Sequence, residues 1–247
     1  VCSLGVNLTI NFKKKMKKSK KIISYISIIF CMFIFTFNAS ISLEIIEKVK
    51  DNFKNIKDFQ ADMNLKIDIS YLNAPEKSGK IYFKQPNRTK IDIDGFSMLP
   101  KQGTGNFINE ILSKDITIIE NGTENLGNVS TTKVKIIPNN PSEDIAIATM
   151  WIDSKNFNVL KSEIITKKSG SYTVIIDYKL INNIYLPGEV KIKFSVPEFS
   201  LPKTMTGDFK DDKSKSKSKD GKTEGLVVIN YTNYIVNKGL NDNVFNK

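Results

Sequence analysis

GKIYFKQPNRTKIDI, residues 79–93, holds two short runs of alternating apolar and polar residues on either side of Pro86. Ile81 and Phe83 share one face of the first run, and Thr89, Ile91 and Ile93 share one face of the second. Successive side chains of a strand point to opposite faces, so each run reads as a strand with one apolar side. Proline has no N–H to give to a ladder, so Pro86 marks a strand end, an edge or a bend. The interval between the runs is far too short for a parallel crossover, which makes the pair antiparallel.

The same alternation extends in both directions. DMNLKIDISY (62–71) sets Met63, Leu65, Ile67, Ile69 and Tyr71 against Asp62, Asn64, Lys66 and Asp68, and NAPEKSG (73–79) makes the turn to the next strand. Before it, LEIIEKVKDNFKNIK (43–57) places Leu43, Ile46, Lys50, Phe53 and Ile56 at three- and four-residue spacing, the stripe of an amphipathic helix. After it, 95–105 reads as a loop and 106–114 as a short helix carrying Phe107, Ile108, Ile111 and Leu112. Strands then follow at 115–120, 129–138, 144–153, 158–167, 171–179, 189–196 and 225–236, with ENGTEN, PNNPS, DSKN, KKSGS and NNIYLPG as turns. KDDKSKSKSKDGKTE (210–224) has nothing to bury and reads as a mobile polar loop. The fold class is α+β: a strongly curved antiparallel sheet of nine or ten strands, an unclosed β-barrel, with an N-terminal helix and a short second helix.

Charge and composition narrow the function classes. The formal charge of +11 suggests an anionic partner, yet residues 1–42 supply seven lysines and no acid. The remainder carries 30 basic and 26 acidic residues, an ordinary surface at +4. Arg88 is the sole arginine, which fits poorly with bidentate readout of bases or phosphates, so no nucleic-acid partner is expected. Both cysteines fall in the first 42 residues and there is no histidine, so the rest of the chain offers no disulfide, no Cys/His metal site and no His-based triad. No cofactor or metal is expected. Asp and Glu alternate outward with Lys, and no pair stands apart as acid and base, so no enzyme chemistry is expected either.

Residues 16–42 read as an address. Met16 opens a lysine-rich stretch, 22–37 is an apolar run, and Asn38-Ala39-Ser40-Ile41-Ser42 offers small residues before a cleavage point after Ser42. Sixteen residues of helix reach only ~24 Å, short of the ~30 Å hydrocarbon core. The expectation is a start at Met16, a cleavable signal peptide within 1–42, and one mature domain over 43–247.

The order of several short motifs resembles the LolA-like family, the periplasmic lipoprotein carriers, and the related outer-membrane lipoprotein-sorting and sigma-factor-regulatory proteins. VKDNFKNIKDFQADM is similar to the family's opening helix and first strand, and 79–93 to its Gly–strand–Arg-Pro-Asn segment. MWIDSKNFNVLKSEIITKKSGSYTVIIDYKLINNIYLPGEVKIKF resembles its "W-I-D" strand with two long strands beyond, and GLVVINYTNYIVNKGLNDNVF its closing strand. The resemblance covers nearly all of 43–247. It implies a lid-covered apolar cavity for acyl chains, a periplasmic location, an acylated lipoprotein or lipid as cargo, inner-membrane release machinery and an outer-membrane acceptor as partners, and a monomer. Cavity candidates are Met63, Leu65, Ile67, Ile69, Ile81, Phe83, Ile91, Ile93, Val174 and Ile176; lid candidates are Phe107, Ile111 and Leu112. Gln85 stands where family members carry the arginine that helps hold the lid, and GFSMLPKQGTGNF replaces the family's "D-G-K … W-x-Y-x-P" segment. A lipid-sensing regulatory domain that binds an envelope protein is the alternative role. Apolar alternation equally describes a plain core, and Trp151 reads as a core anchor.

Overall fold

In the computed structural model, which describes residues 38–69, 72–73, 75–93, 107–197 and 222–246, the helix read at 43–57 begins earlier and ends at Lys54, and the strand read at 62–71 begins earlier, at Asp58, and its described part ends at Ile69. Glu44–Lys247 forms one compact unit. Helix α1 spans Asn38–Lys54 and strand β1 Asp58–Ile69. There follow β2 (Leu72–Asn73), β3 (Lys77–Lys84), β4 (Arg88–Ile93), α2 (Phe107–Leu112), β5 (Ile116–Leu126), β6 (Val129–Pro138) and β7 (Ile145–Asp153). β8 (Val159–Thr166), β9 (Ser171–Ile181), β10 (Ile184–Pro197), β11 (Lys222–Val236) and a 3-10 turn at Asp242–Phe245 complete the order.

Every pairing is antiparallel. The strand order is β4-β3-β1-β11-β10-β9-β8-β7-β6-β5, with β2 pairing β1. β4 and β5 are the two ends of this order, so the sheet does not close on itself. The chain passes from one end to the other through α2, which lays Phe107, Ile108, Ile111 and Leu112 into the same apolar core as Ile45, Ile46 and Val49 of α1. The core therefore lies on one face of the sheet, with both helices in it.

Three sequence readings are corrected here. ENGTEN is not a turn: β5 runs through it with a register shift between Glu120 and Thr123, and Gly122, at φ 80°, accommodates the bulge. NNIYLPG is mostly strand: the chain reverses at Asn182 and Asn183 alone, both left-handed (φ 50° and 62°), the geometry of a two-residue hairpin. β10 then absorbs Pro187 and Gly188 in a register shift before Glu189. The polar loop is shorter than 210–224, because Lys222, Thr223 and Glu224 already belong to β11; the rest of it, like residues 1–37, lies outside the described residues.

β1 and β11 join chain positions far apart in sequence, and a polar clasp built on the exposed Asn237 and the buried Asp58 fixes their junction. Asn237, left-handed at φ 54°, accepts from the backbone N–H of Lys57 at 2.8 Å through Oδ1 and donates to Asn55 O at 2.9 Å. The buried Asp58 carboxylate accepts from the N–H groups of Lys238 and Gly239, each at 3.1 Å. Arg88, the sole arginine, pairs with Asp242 at 2.9 Å and lies over the Phe245 ring, tying the 3-10 turn to β4.

Candidate functional site

Register places nearly all cavity candidates in rows across one face. Ile67 opposes Val227, which opposes Ile192, which opposes Val174; beside them Leu65, Ile229, Val190 and Ile176 form a second row. Met63, Ile69, Ile81, Phe83 and Ile93 are buried on the same face, and Ile91 is partly buried against it. The lid candidates Phe107, Ile111 and Leu112 are buried too. Sequence parity thus identified the inward face, but that face is not an empty cavity. α1 fills it with Ile45, Ile46 and Val49, the segment just after it with Ile56, and α2 with its four apolar residues. The void under α1, beside Val49, Ile56, Tyr178 and Tyr185, measures about 20 Å³, room for one water.

Two buried oxygens on this face lack a hydrogen-bond partner among the described residues: Ser162 Oγ and Glu120 Oε2. They fall on one cross-strand row, Glu120–Val134–Met150–Ser162–Val174. A buried hydroxyl without a partner costs stability.

Beyond the packing of its apolar face, α1 is fastened by a small set of neutral hydrogen bonds at two turns. On one side Asn52 Nδ2 donates to Asn156 O at 2.8 Å and Phe157 O at 3.3 Å, in the turn between β7 and β8. That turn is built by Asp153, whose Oδ1 accepts from Lys155 and Asn156, and it forces Phe157 to φ 56°, an uncommon conformation for a bulky residue. On the other side Gln85, in the β3–β4 turn, donates through Nε2 to Phe53 O at 3.0 Å and Lys54 O at 3.1 Å. These are carbonyls of the last turn of α1, where a helix runs out of intrahelical partners; Phe53 O also accepts from the N–H of Ile56 at 3.1 Å. The amide of Gln85 thus engages the helix although it brings no charge. The Gln85–Pro86 bond is cis.

Beside Gln85 a cleft of about 260 Å³ opens where α1, the end of β3 and α2 meet. Phe53 and Phe83 line it from below, and Lys50, Lys54, Gln85, Pro86, Asn109 and Ser113 surround it. Phe83 stacks on Phe59 with ring centroids 5.3 Å apart. At the other end of β1 a groove of about 530 Å³ runs between Asp68, Thr173, Lys193 and Glu224; its mixed charges give an acyl chain little to bury.

Trp151 is buried, as a core anchor would be, but stands apart from the main core cluster. It lies on the opposite face of β7 from Met150 and Ile152, buried beneath lysine stems, with Lys133 and Lys161 over its ring at 4.6 and 4.2 Å and its Nε1 donating to Glu124 at 3.0 Å. The indole and Lys133 together hold the Glu124 carboxyl below its ordinary range. Among the described residues no cluster of His, Cys, Asp and Glu could hold a metal, and no helix is long and apolar enough to cross a membrane.

The anchors Asn52, Asn156 and Phe157 were not singled out from sequence as helix contacts; the local signal is the Asp-Ser-Lys-Asn turn after the "W-I-D" strand.

No family model and no curated protein matches the chain. Solved structures do. A putative outer membrane lipoprotein-sorting protein domain from Vibrio parahaemolyticus aligns over 85% of this chain and 97% of that one, at 15% identity and a TM-score of 0.53. A DUF1329 family protein from Desulfovibrio piger aligns over 83% and 96%, at 10% identity and a TM-score of 0.55. A LolA superfamily protein from Nitrosomonas europaea covers 83% and 97%, at 13% identity and a TM-score of 0.47. The unclosed antiparallel sheet with an N-terminal helix and a small second helix is the fold shared with the lipoprotein-sorting domain and the DUF1329 protein.

Proposed function

We propose that the protein is an envelope carrier or chaperone that shelters the acyl chains of a lipoprotein or lipid, acting as a monomer without enzyme chemistry. One observation carries this reading. The apolar face of an unclosed sheet is covered by two helices, and the neutral hydrogen bonds of Gln85 and Asn52 hold α1 beside a cleft that already reaches Phe53 and Phe83.

Magnitudes indicate how the interior admits a chain. Burying Ile45, Ile46 and Val49 of α1 contributes about 4.5–9 kcal/mol, and a chain of about 14 methylenes returns about 11 kcal/mol on entering an apolar site. Expelling α1 into water would cancel most of the gain. Tilting it about its anchors, so that helix and chain stay covered, retains most of both. The basic, apolar and small-residue order of residues 16–42 supports export to the periplasm, where release machinery and an acceptor would act on the carrier.

The test is to purify the protein from its native envelope, extract it with organic solvent and identify what leaves it. Acylated lipoprotein or lipid in near-stoichiometric amount is expected, together with displaceable binding of a fluorescent fatty acid. Absence of both at micromolar concentration overturns the proposal. The filled interior favours one alternative, a regulatory domain whose outer surface binds an envelope protein; a stoichiometric protein partner with no acyl cargo would be its signature.

A further inference from the structure

Lys50 is the residue that does not belong in the apolar stripe of α1. It stands at a stripe position between Ile46 and Phe53, yet it is a lysine, and its side chain reaches the cleft rather than open solvent alone. Lys54, one turn later, stands on the same side, because residues four apart are neighbours on a helix. Phe53 lies between them in sequence and lines the cleft together with Phe83. Among the described residues that line it there are two ammonium groups, two phenyl rings and no carboxylate.

The acyl-carrier reading above is the premise here, and we propose that this cleft admits a single acyl chain bearing an anionic head, the chain seated on Phe53 and Phe83 and the head held by Lys50 and Lys54. Size sets the number of chains. About 260 Å³ falls just below the ~300–1,000 Å³ of ordinary small-molecule pockets and suits a segment of one chain, not two or three side by side. Charge sets the head. Lys50 and Lys54 now pair with Glu47 and Asp51 on their own helix, at 2.9 and 2.8 Å. Such exposed pairs three residues apart are weak and easily exchanged, so both ammonium groups are at the disposal of an incoming anion. The carbonyl end of α1 opposes a negative head, but its last carbonyls are already engaged by Gln85. A neutral snorkelling role, stem on the rings and ammonium in water, accounts for one lysine. It does not account for two lysines lining one opening beside two phenyl rings, with no acid among the described residues that line it.

The experiment compares three probes of equal chain length on the purified full-length protein: a fluorescent 16-carbon fatty acid, its methyl ester, and a 16-carbon trimethylammonium. The acid is expected to bind about tenfold more tightly than the ester, as two exposed ionic contacts allow, and the cation most weakly. The Lys50→Gln, Lys54→Gln double variant should bring acid and ester together without weakening the ester, and raised salt should do the same. Equal affinity for acid and ester in the unaltered protein, or a preference that survives the double variant, overturns this proposal while leaving the acyl-carrier reading intact. Failure of all three probes overturns the acyl-carrier reading itself.

Discussion

Replacing Gln85 with alanine isolates the hold on α1. The substitution removes the two side-chain hydrogen bonds to Phe53 O and Lys54 O, and leaves the backbone bond from Gln85 N to Lys57 O at 2.9 Å. Gln85 is exposed, so water replaces part of what is lost, and the pair contributes about 1 kcal/mol at the low end of the usual range. That makes the tilted state of α1 about fivefold more populated. If this state is the one that takes up acyl chains, the on-rate of a fluorescent fatty acid rises about fivefold, and apparent affinity tightens in proportion while the tilted state stays a minority. Hydrogen exchange checks the cause independently. Amides of α1 should exchange about fivefold faster, while those of β9 and β10 change only with global stability. Gln85→Arg keeps donors and adds a cation at the carbonyl end of the helix, worth ~0.3–1 kcal/mol, and should slow both processes. Uniform acceleration across all amides, or an unchanged on-rate alongside faster α1 exchange, would refute the reasoning.

Four further outcomes follow from the packing. Asp58→Ala strips a buried acceptor from two backbone N–H groups and should lower unfolding free energy by about 2–3 kcal/mol in denaturant titration. Ser162→Ala removes a buried oxygen without a partner among the described residues and should raise stability by about 1 kcal/mol; a loss of that size would show that the hydroxyl is satisfied. Gly79→Ala drives a Cβ into the backbone oxygen of Asp92 on β4, so β4 should lose exchange protection before the rest of the sheet does. Burial raises the phenols of Tyr178, Tyr231 and Tyr234 above the ordinary value of about 10. The unfolded chain therefore gives up those protons first, so stability is whole below about pH 10 and falls as pH rises beyond it, with part of the tyrosine absorbance change appearing only on unfolding.

Period-two alternation was enough to assign faces wherever one side was polar, as in 62–69, where every odd residue is buried. It failed at 145–152, because Ile147, Thr149 and Trp151 on one side are as apolar as Ala148, Met150 and Ile152 on the other. Only the cross-strand neighbours Lys133 and Lys161 show which side faces water. Bulges escaped for a related reason: Gly, Asn and Pro are turn residues, and a bulge uses the same conformations without reversing the chain. The site was half legible. Its rings and lysines belong to a readable helix and strand, but Gln85 was weighed by its charge alone. Its amide hydrogens matter only because the fold brings the end of α1 to them. Nor could alternation reveal that the two helices would occupy the space the sheet encloses.

The clasp between β1 and β11 bears on the timing of assembly. From β5 to β11 each strand pairs with its immediate successor, so that meander can form piecemeal as the chain lengthens. β1, β3 and β4 join it only through β11, across a separation of about 170 residues. A ribosome must therefore emit the final strand before the first can be paired with it, and until then the leading segment exposes the unpaired backbone and greasy surface that chaperones recognise. Native structure arrives late in the life of this nascent chain, a schedule that would suit the export proposed above, in which a polypeptide must stay unfolded long enough to be threaded through a pore.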